Sequence, residues 1–237
     1  MTISPDQWIF WTWDGFQLNA TIALTWLVMA LLCTISWVAT ARLTDQDKPG
    51  RWQNLLEVVV GGIRDQIADI GVRDPDRYMP FIGTLFLYIA MSNLLAVVPA
   101  YRPPTGSLST TTALALSVLV AVPLYAISDK GVRGYLKNYI RPTLFMLPFN
   151  IIGELSRTIA LAVRLYGNVM SGTVIVGILI SVAPFIFPIV MQLLGMLTGL
   201  IQAYIFAVLA MVYIASAARS HGGEPRGSSA ESSQQGD

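Results

Sequence analysis

Charge is scarce in this sequence. Asp, Glu, Lys and Arg make up 12% of the 237 residues, against roughly 25% in an ordinary soluble domain. There is one cysteine, Cys33, so an internal disulfide is excluded, and its place in an apolar run suits a small buried hydrophobe. There is one histidine, His221, close to the C-terminus. No His-Glu metal motif, Ser-Lys dyad or glycine-rich nucleotide loop occurs, which weighs against a membrane-embedded enzyme and gives no reason to expect a metal or cofactor. The formal net charge of +1 says nothing about an acidic partner, and no nucleic-acid partner is expected. No Lys or Arg precedes Arg42, so the first 18 residues lack the basic region of a signal peptide. With Trp8, Trp11 and Trp13 they are expected to form an external aromatic anchor at a membrane face. There is also no internal repeat of the kind that marks many secondary transporters.

What is abundant is apolar. Such residues make up 54% of the chain, and they gather in five runs at Asn19–Ala41, Tyr78–Val98, Thr110–Ile127, Phe145–Val182 and Phe185–Ala218. Each is about 20 residues or longer, the length a helix needs to cross about 30 Å of hydrocarbon. No soluble core needs five such runs. The expected fold is an all-α membrane protein with a membrane domain over 19–218. Arg219 to Asp237, rich in Ser, Gly and Gln, is expected to be a disordered cytoplasmic tail.

Lys and Arg sort by loop. Arg42, Lys48, Arg51, Arg64, Arg73 and Arg77 follow the first run, and Lys130, Arg133, Lys137 and Arg141 follow the third. Pro99 to Leu108 holds only Arg102, the turn near Pro184 holds none, and the tail brings Arg219 and Arg226. Basic loops stay in the cytoplasm, which sets the N-terminus outside and the C-terminus inside, as five crossings require. Between the first two spans, over about 51–71, Leu55, Val59, Ile63, Ile67 and Ile70 recur at helical spacing. An amphipathic helix on the cytoplasmic face is expected there, because spanning would carry Glu57, Arg64, Asp65 and Asp69 into lipid.

The last two runs are too long for an upright crossing. Phe149 to Ser181 holds about 33 residues without a proline, about 50 Å of helix for about 30 Å of hydrocarbon. Either the helices break or they incline steeply as a hairpin turning near Pro184 and Pro188, and inclination is the expected form. On the first of them Glu154, Arg157, Arg164, Asn168 and Ser171 fall within an arc of about 100°. The second carries Gln192, Gly195, Gly199 and Gln202, with Gly195 and Gly199 as a small-xxx-small step for close approach. Arg164 is the focus. A structural ion pair with Glu154 is ruled out within one helix by about 15 Å of rise, and Arg157 stands at the better spacing of three. Neither long helix offers Arg164 another acid. A mid-membrane arginine without a counter-charge costs several kcal/mol, which suggests an acid supplied by another chain.

Arg164-Leu-Tyr-Gly-Asn-Val-Met-Ser-Gly172 resembles the arginine signature of subunit a of F-type rotary ATP synthases. Leu200-Ile-Gln-Ala-Tyr-Ile-Phe206 is similar to that family's second signature, around Gln202. Asn93-Leu-Leu-Ala-Val-Val-Pro99 with Pro104-Thr-Gly-Ser-Leu-Ser-Thr-Thr111 is a third match. Together they run in family order over about three-quarters of the chain. The resemblance implies an ion-translocating stator subunit in a bacterial inner membrane, with no catalytic chemistry of its own. Its partners would be a rotating ring of c subunits, the subunit b stalk, the rest of the synthase and membrane lipid. Arg164 would meet the ring carboxylates between two half-channels, with Gln202, Asn168, Glu154, Arg157 and Ser171 along the ion path.

Two positions depart from the better-known bacterial pattern. Thr173 and Gly195 stand where that pattern has ionisable residues of the outer half-channel, which opens the choice between H⁺ and Na⁺. Glu154 is offered instead for an inner path. Gly153-Glu-Leu-Ser-Arg157 resembles a divergent branch, the N-type ATPases, whose rings often look sodium-binding. The rival class, a secondary ion transporter acting alone, would need its own counter-ion acid and usually inverted repeats.

Overall fold

The computed structural model describes residues 9–13, 16–41, 51–70, 74–98, 101–140, 146–182 and 187–219. Ser220 onward, Trp8 and the turn at Pro184 lie outside the described residues. The elements are β1 (Ile9–Trp13), β2 (Phe16–Asn19), α1 (Ala20–Ala41), α2 (Arg51–Asp69), α3 (Pro75–Leu94), α4 (Leu108–Ile140), α5 (Met146–Val182) and α6 (Phe187–Arg219). Five of the helices are long and apolar enough to cross a membrane, α2 being the exception.

Ahead of α1 the chain forms an antiparallel hairpin, with Trp13 opposite Phe16 and Trp11 opposite Leu18. Its strands, Ile-Phe-Trp-Thr-Trp and Phe-Gln-Leu-Asn, are rich in the aromatic and β-branched residues that pack well on a pleated surface. They flank Asp14-Gly15, a dipeptide that two-residue hairpin loops favour.

α2 matches the expected amphipathic segment. Ile67 is buried at 1% exposure and Ile63 and Ile70 pack on the core, while Glu57, Arg64 and Asp65 are exposed. Arg64 donates to Asp76 at the start of α3 at 3.0 Å, an exposed pair that contributes about 0–1 kcal/mol. The Tyr204 hydroxyl of α6 donates to Gln66 Oε1 at 2.6 Å. A single surface helix is thus moored to two spans.

At the other end of α3 a short 3₁₀ turn, Leu95–Val97, closes the helix. The next connection folds inward, so that Pro103 through Ser107 are all buried. A methyl added at Gly106 would lie 3.3 Å from Val169 Cγ1 on α5. Tyr101 lies in the same connection, and burial pushes its phenol well above the ordinary value, aided by nearby Tyr88.

Where a basic loop was expected after the third span, helix continues to Ile140 beyond a break at Gly131, whose φ is 75° and ψ 159°. Val132, Leu136 and Tyr139 recur there at helical spacing among Arg133, Lys137 and Asn138, a surface-helix pattern in a segment that charge counting reads only as a loop.

α5 and α6 are 37 and 33 residues long, about 55 and 50 Å at 1.5 Å per residue. The sole positive-φ glycine among the described residues is Gly131, and neither long helix contains a break. Of the two forms expected, the broken one is therefore excluded. The core gathers on α6, where Ala203, Phe206, Ala210, Met211 and Ile214 are at most 1% exposed. Lipid is as apolar as leucine, so helices in it associate through close packing rather than hydrophobic burial. The alanines of α6 supply that closeness against α3, α4 and α5.

Gly131 sits in a backbone region that is essentially glycine-only and costs other residues about 1–3 kcal/mol. Gly131→Ala is therefore expected to lower the melting temperature of the detergent-purified protein, whereas Gly134→Ala, three residues on within the helix, lowers it little or not at all.

Candidate functional site: the open face of the fifth helix

Burial singles out α5. Between Pro148 and Val182 α5 buries only Thr158, Leu161, Ala162, Leu165 and Val169, whereas α6 buries ten residues between Phe187 and Ala217. α1 is also lightly packed, with Ala20, Thr21 and Val28 buried, but carries no charged residue. With 100° per residue, Leu161, Leu165, Thr158, Val169 and Ala162 lie about 60–160° around from Arg164, and all five are buried. Arg157, Ala160, Gly167 and Ser171 lie within about 60° of it, and they are exposed, as is Arg164.

The sequence-based set therefore divides. Arg164, Arg157 and Ser171 share the open face; Asn168 and Glu154 are half-buried at its edge; Gln202 is buried at 6% exposure. Ser171 donates its hydroxyl to the Asn168 carbonyl at 3.1 Å, and Thr158 donates to the Glu154 carbonyl at 3.0 Å. No hydrogen bond or ion pair reaches Arg164 among the described residues. Arg157 was expected to pair with Glu154, but its guanidinium lies over the Tyr213 ring of α6 at 5.6 Å. Glu154 lies half-buried on the packed side of α5, and the face of the Tyr213 ring attracts the guanidinium instead.

That contact sets the level of the two long helices. Gln202 precedes Tyr213 by eleven residues, a net rotation of about 20°, so it faces α5 as Tyr213 does. Counting back eleven residues along the antiparallel neighbour brings it within about a turn of both Asn168 and Arg164. Thr173 lies about 180° around α5 from Arg164, exposed, its hydroxyl bonded to the Met170 carbonyl at 2.9 Å.

The glycines separate two kinds of smallness. A methyl group added at Gly153, Gly167, Gly172 or Gly195 would meet nothing within 4 Å, whereas at Gly199 it would lie 2.7 Å from Asn93 Cγ. Gly199 is thus demanded by this chain's own packing. Its expected companion Gly195 is not. At Gly167, beside Arg164 on the open face, no other described residue demands a small side chain either. Gly153, Ala160 and Gly167 at intervals of seven trace a track of small residues along that face, and this spacing was the signal that reading the polar residues alone overlooked.

A family model described as ATP synthase A chain matches residues 22–215. The chain belongs to that family. It is 64% identical over 219 residues to "ATP synthase subunit a 2" of Acaryochloris marina, covering 92% of this chain and 94% of that protein. Identity to "ATP synthase subunit a" of Albidiferax ferrireducens is 57% over 225 residues, 95% and 97% of the two chains. "ATP synthase subunit a 1" of Chlorobaculum parvum is 54% identical over 220 residues, 93% and 97%. Membership in the family and the apolar helices together make it a multi-pass membrane subunit of an ATP synthase, and the catalytic chemistry belongs to the complex.

The Arg157–Tyr213 contact gives a check on the α5–α6 level. Tyr213→Leu is expected to cost about 0.5–1 kcal/mol, read as a lower thermal midpoint in detergent, and Tyr213→Phe, which keeps the ring face, is expected to be neutral.

Proposed function

We propose that this chain is the ion-translocating stator of the synthase's membrane sector, with Arg164 facing the carboxylates of a rotating c-ring. The observation that carries this reading is an exposed arginine that no other described residue pairs with, on the less packed of the two long helices, beside a glycine that no described residue requires to be small. A track of small residues lets a partner helix approach closely, and a ring helix bearing a carboxylate supplies both the helix and the missing charge. Subunit b and the rest of the synthase hold the chain against rotation. The membrane is the bacterial inner membrane, with the N-terminus outside and the basic connections and C-terminus in the cytoplasm.

The chemistry follows from the charge. Arginine stays protonated at any accessible pH, so a ring carboxylate that reaches it gives up its ion and passes as an anion. The same fixed charge blocks direct leakage between the two half-channels. At an effective dielectric of about 20, an ion pair at 4 Å gains about 4 kcal/mol, more than the about 2.3 kcal/mol that one charge gains across 100 mV. The pairing is therefore loose or water-separated, or each step would stall. Gln202 faces the same helix from behind and tunes that encounter. Asn168 and Ser171 extend the polar face on one side of Arg164, and Arg157 and Glu154 extend it toward the cytoplasmic entry as an inner path. With Thr173 and Gly195 uncharged, the coupling ion is set by the ring's own ligands. A lone carboxylate among apolar side chains selects H⁺; added Gln, Ser or Thr oxygens select Na⁺.

Arg164→Ala is expected to reduce ATP-driven ion pumping by the assembled complex in vesicles to background, and Gln202→Leu by about tenfold, the scale of one buried polar interaction. Normal pumping with Arg164→Ala would sink the mechanism, and ion transport by the purified chain alone would favour a secondary transporter. Gly167→Leu separates a partner face from a packing face. The isolated subunit should fold with unchanged thermal stability, while co-purification of the c-ring with it is lost.

A further inference from the structure

Two side-chain amides join the end of α3 to α6 in opposite directions. Asn93 of α3, 4% exposed, donates from Nδ2 to the Gly199 carbonyl of α6 at 3.0 Å. Gln192 of α6 donates from Nε2 to the Ala96 carbonyl, just past α3, at 2.6 Å. Residues 192 and 199 stand two turns apart and only about 20° apart in rotation, so the two bonds grip one face of α6 at separate heights. One such bond leaves a helix free to pivot; two fix its rotation and its register together. Gly199 makes the arrangement possible, since a methyl group there would stand 2.7 Å from Asn93 Cγ and 2.8 Å from its Cβ.

Gln202 lies three residues beyond Gly199, about 60° around α6. Its Nε2 is buried without a hydrogen-bond partner among the described residues, so nothing bonded to that amide nitrogen holds it in place. Its direction is inherited from the helix. A rotation of α6 by half a residue or more would swing it off the α5 side. We infer that Asn93 and Gln192 are positioning residues for ion translocation, a two-way amide clasp that sets the face Gln202 presents to α5. The inference rests on the reading of Gln202 as part of the ion path.

The test uses the assembled synthase in membrane vesicles, with pumping normalised to assembled complex. Asn93→Leu is close in size and has no donor; Gly199→Ala keeps the donor and pushes it away. Each is expected to lower ATP-driven pumping by about tenfold, the scale of one lost buried hydrogen bond. Combining Asn93→Leu with Gln202→Leu should give no loss beyond that of Gln202→Leu alone, because residues that act through one another are not additive. Losses that multiply, or normal pumping by Asn93→Leu, overturn the clasp as a positioning device. If Asn93→Leu fails to assemble, Gln192→Leu reads the other end by the same cycle. A geometric readout is independent of the transport mechanism. In a Cys33→Ser background, the pair Arg157→Cys and Tyr213→Cys should be joined by a short bifunctional thiol reagent, and adding Asn93→Leu should reduce the yield several-fold. An unchanged yield overturns the clasp whatever Arg164→Ala does; a reduced yield alongside normal pumping by Arg164→Ala keeps the clasp's geometry and discards the functional reading.

Discussion

A guanidinium in hydrocarbon is costly by several kcal/mol unless something meets it, and no other residue described in this chain pairs with Arg164. The rest of the structure is arranged around that deficit. α6 takes the burden of internal packing, gathering α3, α4 and α5 on its alanines. The connection Pro103 to Ser107 folds inward to back α5 at Val169. Supported from behind at these points, α5 leaves its opposite side unpacked, and the arginine stands on that side. A bundle that buried α5 evenly would enclose the charge with no acid to receive it.

The polar contacts between helices follow a different logic from the apolar ones. In lipid an interhelical hydrogen bond contributes about 0.6 kcal/mol on average, so the bonds from Asn93, Gln192 and Tyr204 add modestly to stability. Their greater effect is directional. Each joins α6 to a different level of its surroundings, the first two at the end of α3 and the third at α2. α6 has few charges and many near-equivalent apolar faces, and packing alone would distinguish poorly between its rotations. Specific amide and hydroxyl contacts make the distinction.

The five spans, the amphipathic α2 and the polar face of α5 were legible in sequence because each is periodic and local. Arg164 was legible for the same reason, a charge where its neighbours are apolar. The hairpin signal Trp13-Asp14-Gly15-Phe16 was present but overshadowed by the tryptophans' suitability for a membrane face. The helix after Gly131 was hidden by counting its charges without following its apolar spacing. What no local pattern could reveal is partnership. Asn93 and Gly199 are 106 residues apart, and Gly167 and Gly199 look alike in sequence, each a glycine within an apolar helix. One is small to admit a side chain of its own chain, and the other is not filled by anything in it. The Arg157–Tyr213 contact was missed likewise, because spacing along one helix cannot weigh a ring on the next.

The unbroken lengths of α5 and α6 reach beyond the protein itself. Helices of about 55 and 50 Å crossing about 30 Å of hydrocarbon fit by inclining, and a thicker bilayer stands such a pair more upright. Arg164 lies near the midpoint of α5, so a change of tilt moves Met146 and Val182 at its ends much further than it moves the arginine. Lipid of a different thickness thus shifts the two ends of the helix while its charged centre keeps its height.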